Sequence, residues 1–475
     1  MSRRHVVVVG AGPAGLAAAD AALAAGARVT LVDSAEQPGG QYHRMLPDAY
    51  EAANPEVLHH GYAAFERRVR RVLGNAHCTW LSETSVWAIE RDDLGSAPLV
   101  HVRGEGSPGR RSVLTPDALV LAPGAHDRVL PFPGWELPGV FTAGAAQALA
   151  KGERVAVGER VAVAGTGPFL LPVAVSLLEA GARVAGVLEA GRGPRVARGW
   201  LRRPWELAAQ AGKTGELASY TAALARARVP YLLGRTVVEA RGDGRVEEVV
   251  SARVRADWSL VGGSERVTAV DALCVGHGFT PRLELLVAAG CALRGQTPDG
   301  VFARVDDVQR TSSPGVYAAG EVTGIAGAPA ARAEGAVAGW HAAGGDPSAR
   351  PLSALRRSRD QGRAFAERLA AAHPIGREWP GWLRDDTVVC RCEETDYASV
   401  CAAADDPATA EARVAKLGTR AGLGPCQGRM CGVTVAELRA RLGAPDADLA
   451  APHRRPVAEP VRLGELAAPA RGDDG

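Results

Sequence analysis

Residues 5–33 read HVVVVGAGPAGLAAADAALAAGARVTLVD, and this stretch decides the fold. Val6 to Val9 form an apolar run of strand length, and Gly10, Gly12 and Gly15 follow in G-x-G-x-x-G spacing. An Ala/Leu-rich helix comes next, then a second strand, Arg28–Val32, closed by Asp33. Each glycine has a physical task. Gly10 permits the tight turn, Gly12 lets a pyrophosphate approach the backbone, and Gly15 lets helix and strand pack closely. The helix amino end offers amides and a positive dipole to phosphates. Asp33 stands where a carboxylate accepts from a ribose hydroxyl. Together these features predict a dinucleotide-binding βαβ unit.

The pattern recurs at residues 160–190, RVAVAGTGPFLLPVAVSLLEAGARVAGVLEA. Repetition within one chain predicts two such units. The copy keeps Gly165 and Gly167 but has Leu170 at the third glycine position, filling space that close packing would use. Its acid, Glu189, lies one residue further from the first glycine than Asp33 does from Gly10. In a strand, one residue of offset turns a side chain to the other face. The second unit is therefore expected either to hold NAD(P) or another adenine nucleotide through Gly165, Gly167 and Glu189, or to survive as architecture only.

Composition narrows the class. A chain of 475 residues suggests about three domains. With 55 basic and 53 acidic residues the formal charge is +2, which speaks against nucleic-acid or membrane-surface binding by bulk charge. Fifty-seven glycines, without a collagen period, fall in turns between apolar runs. Met1-Ser-Arg-Arg-His before an apolar stretch has the outline of a twin-arginine or secretory signal. Cleavage there would delete the glycine turn, so the strand reading is preferred and a cytoplasmic protein expected. The uncharged run 161–178 has borderline membrane length, but its glycines and prolines make it a buried strand and helix start.

Four of the eight cysteines form a block: Cys390 and Cys392 as C-x-C, then Cys426 and Cys431 as C-x₄-C. Disulfides are disfavoured in a cytosolic chain with large cores. Zinc, the remaining alternative, usually takes C-x₂-C pairs. The grouping suits a [2Fe–2S] cluster on four thiolates, with GLGPC giving the backbone freedom to aim amides at sulfur. Val433–Leu442 is the expected helix behind the last cysteine, its amino end towards the cluster. Cys78, Cys274 and Cys291 are isolated and read as packing residues, as does Cys401. His126 and His277 lie in glycine-rich turns that could approach a bound cofactor, but are read first as structural.

The two units resemble the two-dinucleotide-binding-domain flavoproteins, the thioredoxin-reductase-like and glutathione-reductase-like enzymes. Pro38-Gly-Gly-Gln41, DALVLAPGAHDR (117–128), DALCVGHGFTPRLELL (271–286) and SPGVYAAGEVTGI (313–325) carry that resemblance. It implies FAD held by Gly10, Gly12, Gly15, Asp33, Gly40, Gln41, Gly320 and Glu321, where Glu321 replaces the usual Asp. No cysteine pair lies in GGQYHRMLPDAY or VFTAGAAQALAKG, so disulfide reduction is not expected. The block VVCRCEET…TRAGLGPCQGRMCG resembles the bacterioferritin-associated-ferredoxin-like [2Fe–2S] domain. Its wording is similar to that of the FAD-containing α or A subunits of heteromeric opine oxidases, hydrogen cyanide synthase, and proline or hydroxyproline dehydrogenases.

The expected fold is α/β. Two Rossmann-like domains, the second inserted in the first, precede a small helical C-terminal [2Fe–2S] domain. The expected boundaries are 1–145 and 275–345 for the FAD domain, 146–274 for the second nucleotide domain, 346–385 for a helical linker, 386–443 for the cluster domain and 444–475 for a disordered tail. Within this arrangement GWLRRPWELA (199–208) is a candidate partner contact. The expected function is electron relay beside a second FAD-containing catalytic subunit that oxidises an amino or imino acid. A small ferredoxin-like subunit is the further expected partner. The alternatives are a stand-alone NAD(P)H-dependent flavin/iron–sulfur reductase and a non-catalytic scaffold.

Overall fold

The computed structural model describes residues 3–467 apart from 48, 51–54, 60, 92–97, 105–110, 202–210, 298–299, 410, 445–447 and 456. Ten strands build two parallel sheets: β1 (His5–Val9), β2 (Arg28–Val32), β3 (Cys78–Leu81), β4 (Ala118–Leu121), β5 (Val140–Thr142), β6 (Arg160–Gly165), β7 (Arg183–Glu189), β8 (Tyr231–Leu233), β9 (Ala272–Gly276) and β10 (Val316–Ala318). The first sheet runs β10-β4-β1-β2-β3 and the second β5-β9-β6-β7-β8, so the repeat in sequence is a repeat in topology. Six helices matter below: α1 (Pro13–Ala24), α2 (Leu170–Glu179), α3 (Gly193–Trp200), α4 (Ala328–Ala342), α5 (Arg350–Ala372) and α6 (Gly432–Arg441).

Strand β1 is buried along its whole length because layers cover both its faces. Val7 and Val9 face one core, shared with the antiparallel strands Thr84–Glu90, Leu99–Gly104 and Arg111–Leu114. Val6 and Val8 face the other core, beneath α1. There α1 and α4 touch backbone to backbone: a Cβ on Gly335 would lie 1.9 Å from the Ala14 carbonyl oxygen, and one on Gly339 would lie 2.0 Å from that of Ala18.

The expected insertion is present, but its edges move. Strand β5 joins the second sheet through β9, so that unit begins before residue 145, and β9 carries it past 274. An antiparallel ribbon, Ala125–Asp127 with Phe279–Pro281, links the two units. Helix α5 packs on α4 and also on α3, where a Cβ on Gly199 would lie 2.4 Å from the Ala372 Cα. Trp258 stacks on Trp382, ring centroids 5.6 Å apart, in a core shared by the second unit, the linker and the cysteine-bearing segment.

The tail departs from expectation. Ala450 and Ala458 are buried in the first unit's core, and the Ala458 amide donates to the Trp87 carbonyl. Small apolar residues of this kind leave no periodic mark in sequence, yet they strap residues 448–455 and 457–467 across the first unit. Of the 199–208 stretch, residues 202–208 lie outside the described residues. Among the described residues no helix is long and apolar enough to cross a membrane.

Candidate functional site

The first crevice forms where β1 and β4 end. Gly10 has φ +97°, and a Cβ there would lie 2.3 Å from the Ala122 carbonyl oxygen. Gly12 caps the amino end of α1 in extended conformation. Gly40, at φ +59°, leans on it; a Cβ on Gly40 would lie 2.9 Å from the Gly12 Cα. This close approach explains the glycine pair after Pro38. Asp33 accepts from the amides of Ala11 at 2.5 Å and Ala35 at 2.8 Å, which holds its carboxylate beside the glycine turn. Gln41 is exposed and accepts from the Arg44 guanidinium.

On the opposite wall, the Gly320 amide donates to Glu334 at 2.9 Å, and the Thr323 hydroxyl donates to the same oxygen at 2.6 Å. Glu334 is a buried residue of α4 that sequence reasoning missed. Burial pushes its carboxyl above the usual range, while Thr323 and Arg363 pull the other way. A lone acid in an alanine-rich helix, AARAEGAVAG, was the available signal. Glu321 accepts from the Gly327 amide at 2.9 Å, so its extra methylene reaches the start of α4. The structure thus brings Gly10, Gly12, Gly15, Asp33 and Gly40 together where β1 ends, with Gly320 against Ala14 of α1.

The second unit looks similar in outline but differs in detail. The offset of Glu189 does not turn it to the other face. Val161 pairs with Val184 but Ala162 pairs with Gly186, so Ala185 bulges out and Gly165 comes to lie beside Glu189. Glu189 then reaches further than its counterpart. It accepts from the Thr166 hydroxyl at 2.9 Å and from the amides of Gly167 at 2.8 Å and Gly191 at 2.7 Å. The His373 ring, just past the end of α5, stands 3.5 Å away. The carboxylate is 0% exposed. Gly167 is the counterpart of Gly12, so the amide placed to meet a phosphate is already engaged by the protein's own acid. Leu170 is buried at the start of α2, which begins five residues after Gly165 where α1 begins three after Gly10.

Burial works to raise the Glu189 carboxyl, but His373 and its amide and hydroxyl donors outweigh that and hold it below the usual range. Its contribution to stability is present above about pH 4.3, the ordinary carboxyl value, and disappears as pH falls through the lowered one. Glu189→Ala should cost about 3 kcal/mol by stranding buried donors. Chemical denaturation should show that difference shrinking below about pH 4.3; a difference that stays constant into acid would contradict the assignment.

The cysteines converge in two contacts. Cys390 and Cys431 hydrogen-bond through sulfur, and Cys392 and Cys426 do the same. All are free thiols. The Cys431 contact comes first in holding the Cys390 thiol down, to about 5, with the amides of Gly422, Glu393 and Cys392 adding to it. Gly424 lets the loops meet: a Cβ there would lie 2.3 Å from the Cys392 Cβ. Gln427 and Gly428 turn the C-x₄-C loop with φ +55° and +75°. Helix α6 starts directly after Cys431, and its Thr434 hydroxyl donates to the Val129 carbonyl at 2.6 Å. Its Glu437 pairs in the interior with Arg128 at 2.6 Å. Among the described residues no three His, Cys, Asp or Glu side chains converge on one point as a single metal ion would require. The four cysteines come from two loops that meet at Gly424, and four thiolates are the donor set a [2Fe–2S] cluster takes.

His126 and His277 are both enclosed by protein contacts. The His126 Nε2 lies 3.0 Å from the Arg429 carbonyl inside the C-x₄-C loop, and burial pushes this ring down to about 4. His277 is buried against Trp258.

This crevice, with its ribbon and inserted second unit, is the architecture of a flavin-dependent oxidoreductase. Residues 4–335 match the pyridine nucleotide-disulphide oxidoreductase family, and the chain belongs to it. The A chain of the opine oxidase of Rhizobium meliloti is 32% identical over 486 residues, spanning 97% of this chain and 87% of that protein. The HcnB chain of the hydrogen cyanide synthase of Pseudomonas aeruginosa is 32% identical over 465 residues, covering 93% of this chain and 94% of its own length. Among solved structures, L-proline dehydrogenase from P. horikoshii superposes with a TM-score of 0.68 at 20% identity, covering 98% of this chain and 81% of that one. The chain is a FAD-dependent oxidoreductase.

Proposed function

We propose that the chain is the electron-relay subunit of a heteromeric amino- or imino-acid dehydrogenase or oxidase, holding FAD in the first crevice and a [2Fe–2S] cluster on Cys390, Cys392, Cys426 and Cys431. A second FAD-containing subunit would oxidise the substrate, with a small ferredoxin-like chain as a further partner. Bound FAD supplies two-electron chemistry and the cluster one-electron transfer. The observation that carries this reading is the contact between His126 and the C-x₄-C loop. His126 lies four residues beyond Ala122, whose carbonyl abuts Gly10. An extended chain covers at most about 3.5 Å per residue, so no more than about 14 Å separates the Cα atoms of Ala122, which abuts the glycine turn, and His126, which touches the cysteine loop.

Within this reading, Gly10, Gly12 and Asp33 bind and orient the dinucleotide, Glu334 fixes the Gly320 turn, and the amides around Cys390 favour its thiolate. The free thiols fit a reducing compartment, the cytoplasm. The stand-alone NAD(P)H reductase reading is set back by Glu189, whose inaccessible carboxylate has no room for a ribose and takes up the Gly167 amide. Purified chain should therefore contain flavin, iron and acid-labile sulfide, and NADH or NADPH should not bleach the flavin within a stopped-flow trace. Rapid bleaching would restore the reductase reading. Absence of iron and sulfide after anaerobic purification would remove the relay.

A further inference from the structure

We infer that Arg429 and Arg455, anchored by Glu284 and Glu459, are positioning residues that place positive charge beside the cysteine loops and raise the reduction potential of the cluster there. This rests on the iron–sulfur reading above. Arg429 lies inside the C-x₄-C loop itself. Its guanidinium donates to the Ala458 carbonyl at 2.6 Å and pairs with Glu459 at 3.1 Å, both in the strapping tail. Its Nε stands 3.5 Å from Glu284, a buried residue just past the ribbon of the first unit. Arg455, from the tail, approaches the same Glu284 oxygen at 3.6 Å. The two guanidinium groups thus meet on one carboxylate oxygen, and Arg429 lies between Cys426 and Cys431 in the chain. Arg282 completes the group by pairing with Glu459.

Three arginines thus face two carboxylates, leaving net positive charge in a largely buried place. Arg429 Nε and Arg455 Nη1 are buried, and both face the one Glu284 oxygen at 3.5 and 3.6 Å, longer than an ordinary hydrogen bond. Anionic charge at the cysteines would offset that excess of positive charge. Four thiolates and two sulfides outweigh two ferric ions, so the cluster is anionic and becomes more so when it takes an electron. Net charge and hydrogen bonds to sulfur are the levers on such potentials. Positive charge held nearby favours the reduced form, and low local dielectric strengthens the effect.

Opposite charges should then act in opposite directions, which a purely structural role would not produce. In a spectroelectrochemical titration of the loaded chain, Arg455→Gln should lower the reduced-to-oxidised ratio at a fixed potential about tenfold, which for one electron is about 59 mV. Glu284→Gln should raise that ratio, and Arg455→Lys should stay near wild type. Should Arg455→Gln fail to fold, Glu284→Gln alone decides: an upward shift supports the inference. No shift, or shifts of one sign in both variants, overturns it, as does reduced iron content with an unchanged potential. A wild-type chain without iron and sulfide would instead overturn the underlying reading.

Discussion

Gly15→Ala should yield a chain that neither retains flavin nor folds stably. The added Cβ would lie 1.6 Å from the Gly10 carbonyl oxygen and 2.8 Å from its carbon, a clash with backbone and not with a movable side chain. Helix α1 has nowhere to retreat, because Gly335 and Gly339 of α4 press on Ala14 and Ala18 from above. Ordinary overpacking costs about 1–3 kcal/mol, and a double backbone collision exceeds that. Gly26→Ala is the matched control: its φ of +88° is strained for alanine, but nothing lies within 4 Å. It should cost about 1 kcal/mol and keep its flavin. Flavin absorbance per chain and thermal melting report both. A Gly15→Ala protein that melts and binds flavin like wild type would refute the close-packing account of the G-x-G-x-x-G turn.

Cys390→Ser and Cys431→Ser are each expected to remove iron and sulfide almost completely while leaving flavin bound. Both residues are buried in a small core of their own with Ala421, apart from the two cores of the first sheet. Under the proposed function, loss of either would deprive a four-thiolate site of a ligand. Cys401→Ser should keep the cluster, since Cys401 sits on the helix Tyr397–Asp405 and contacts Tyr397. Iron and sulfide assays beside the visible spectrum decide the matter. Full iron in Cys390→Ser would sink the ligand assignment, and zinc without iron in wild type would move the site to a structural role.

Much of the architecture was legible because it rests on local rules. The strand–turn–helix units announce themselves through glycines such as Gly10, Gly15 and Gly165, where backbone fills the space of a Cβ, and the expected helix after Cys431 is α6. What escaped depended on events without a local signature. The bulge at Ala185 is one extra residue absorbed in β7, and nothing in RVAGVLE marks where the strand will yield. Counting from Gly165 therefore put Glu189 on the wrong face. Glu334 and Gly320 meet across 14 positions of sequence, and His126 meets Arg429 across 303. Neither pair has a spacing rule. The tail was misjudged because alanines bury well without forming a stripe, so Ala450 and Ala458 looked like composition when they were packing.

Helix α5 has a mechanical consequence. Its middle presses Gly362 against Ala330 of α4, where a Cβ would come within 2.3 Å, and its end presses Ala372 against Gly199 of α3. One rigid rod is thus keyed into both dinucleotide units by contacts too tight to slide. A reductase that works by swinging one unit over the other would have to break both keys on every turnover. This chain is braced against such a hinge, and the span between its two units is set once, when the protein folds.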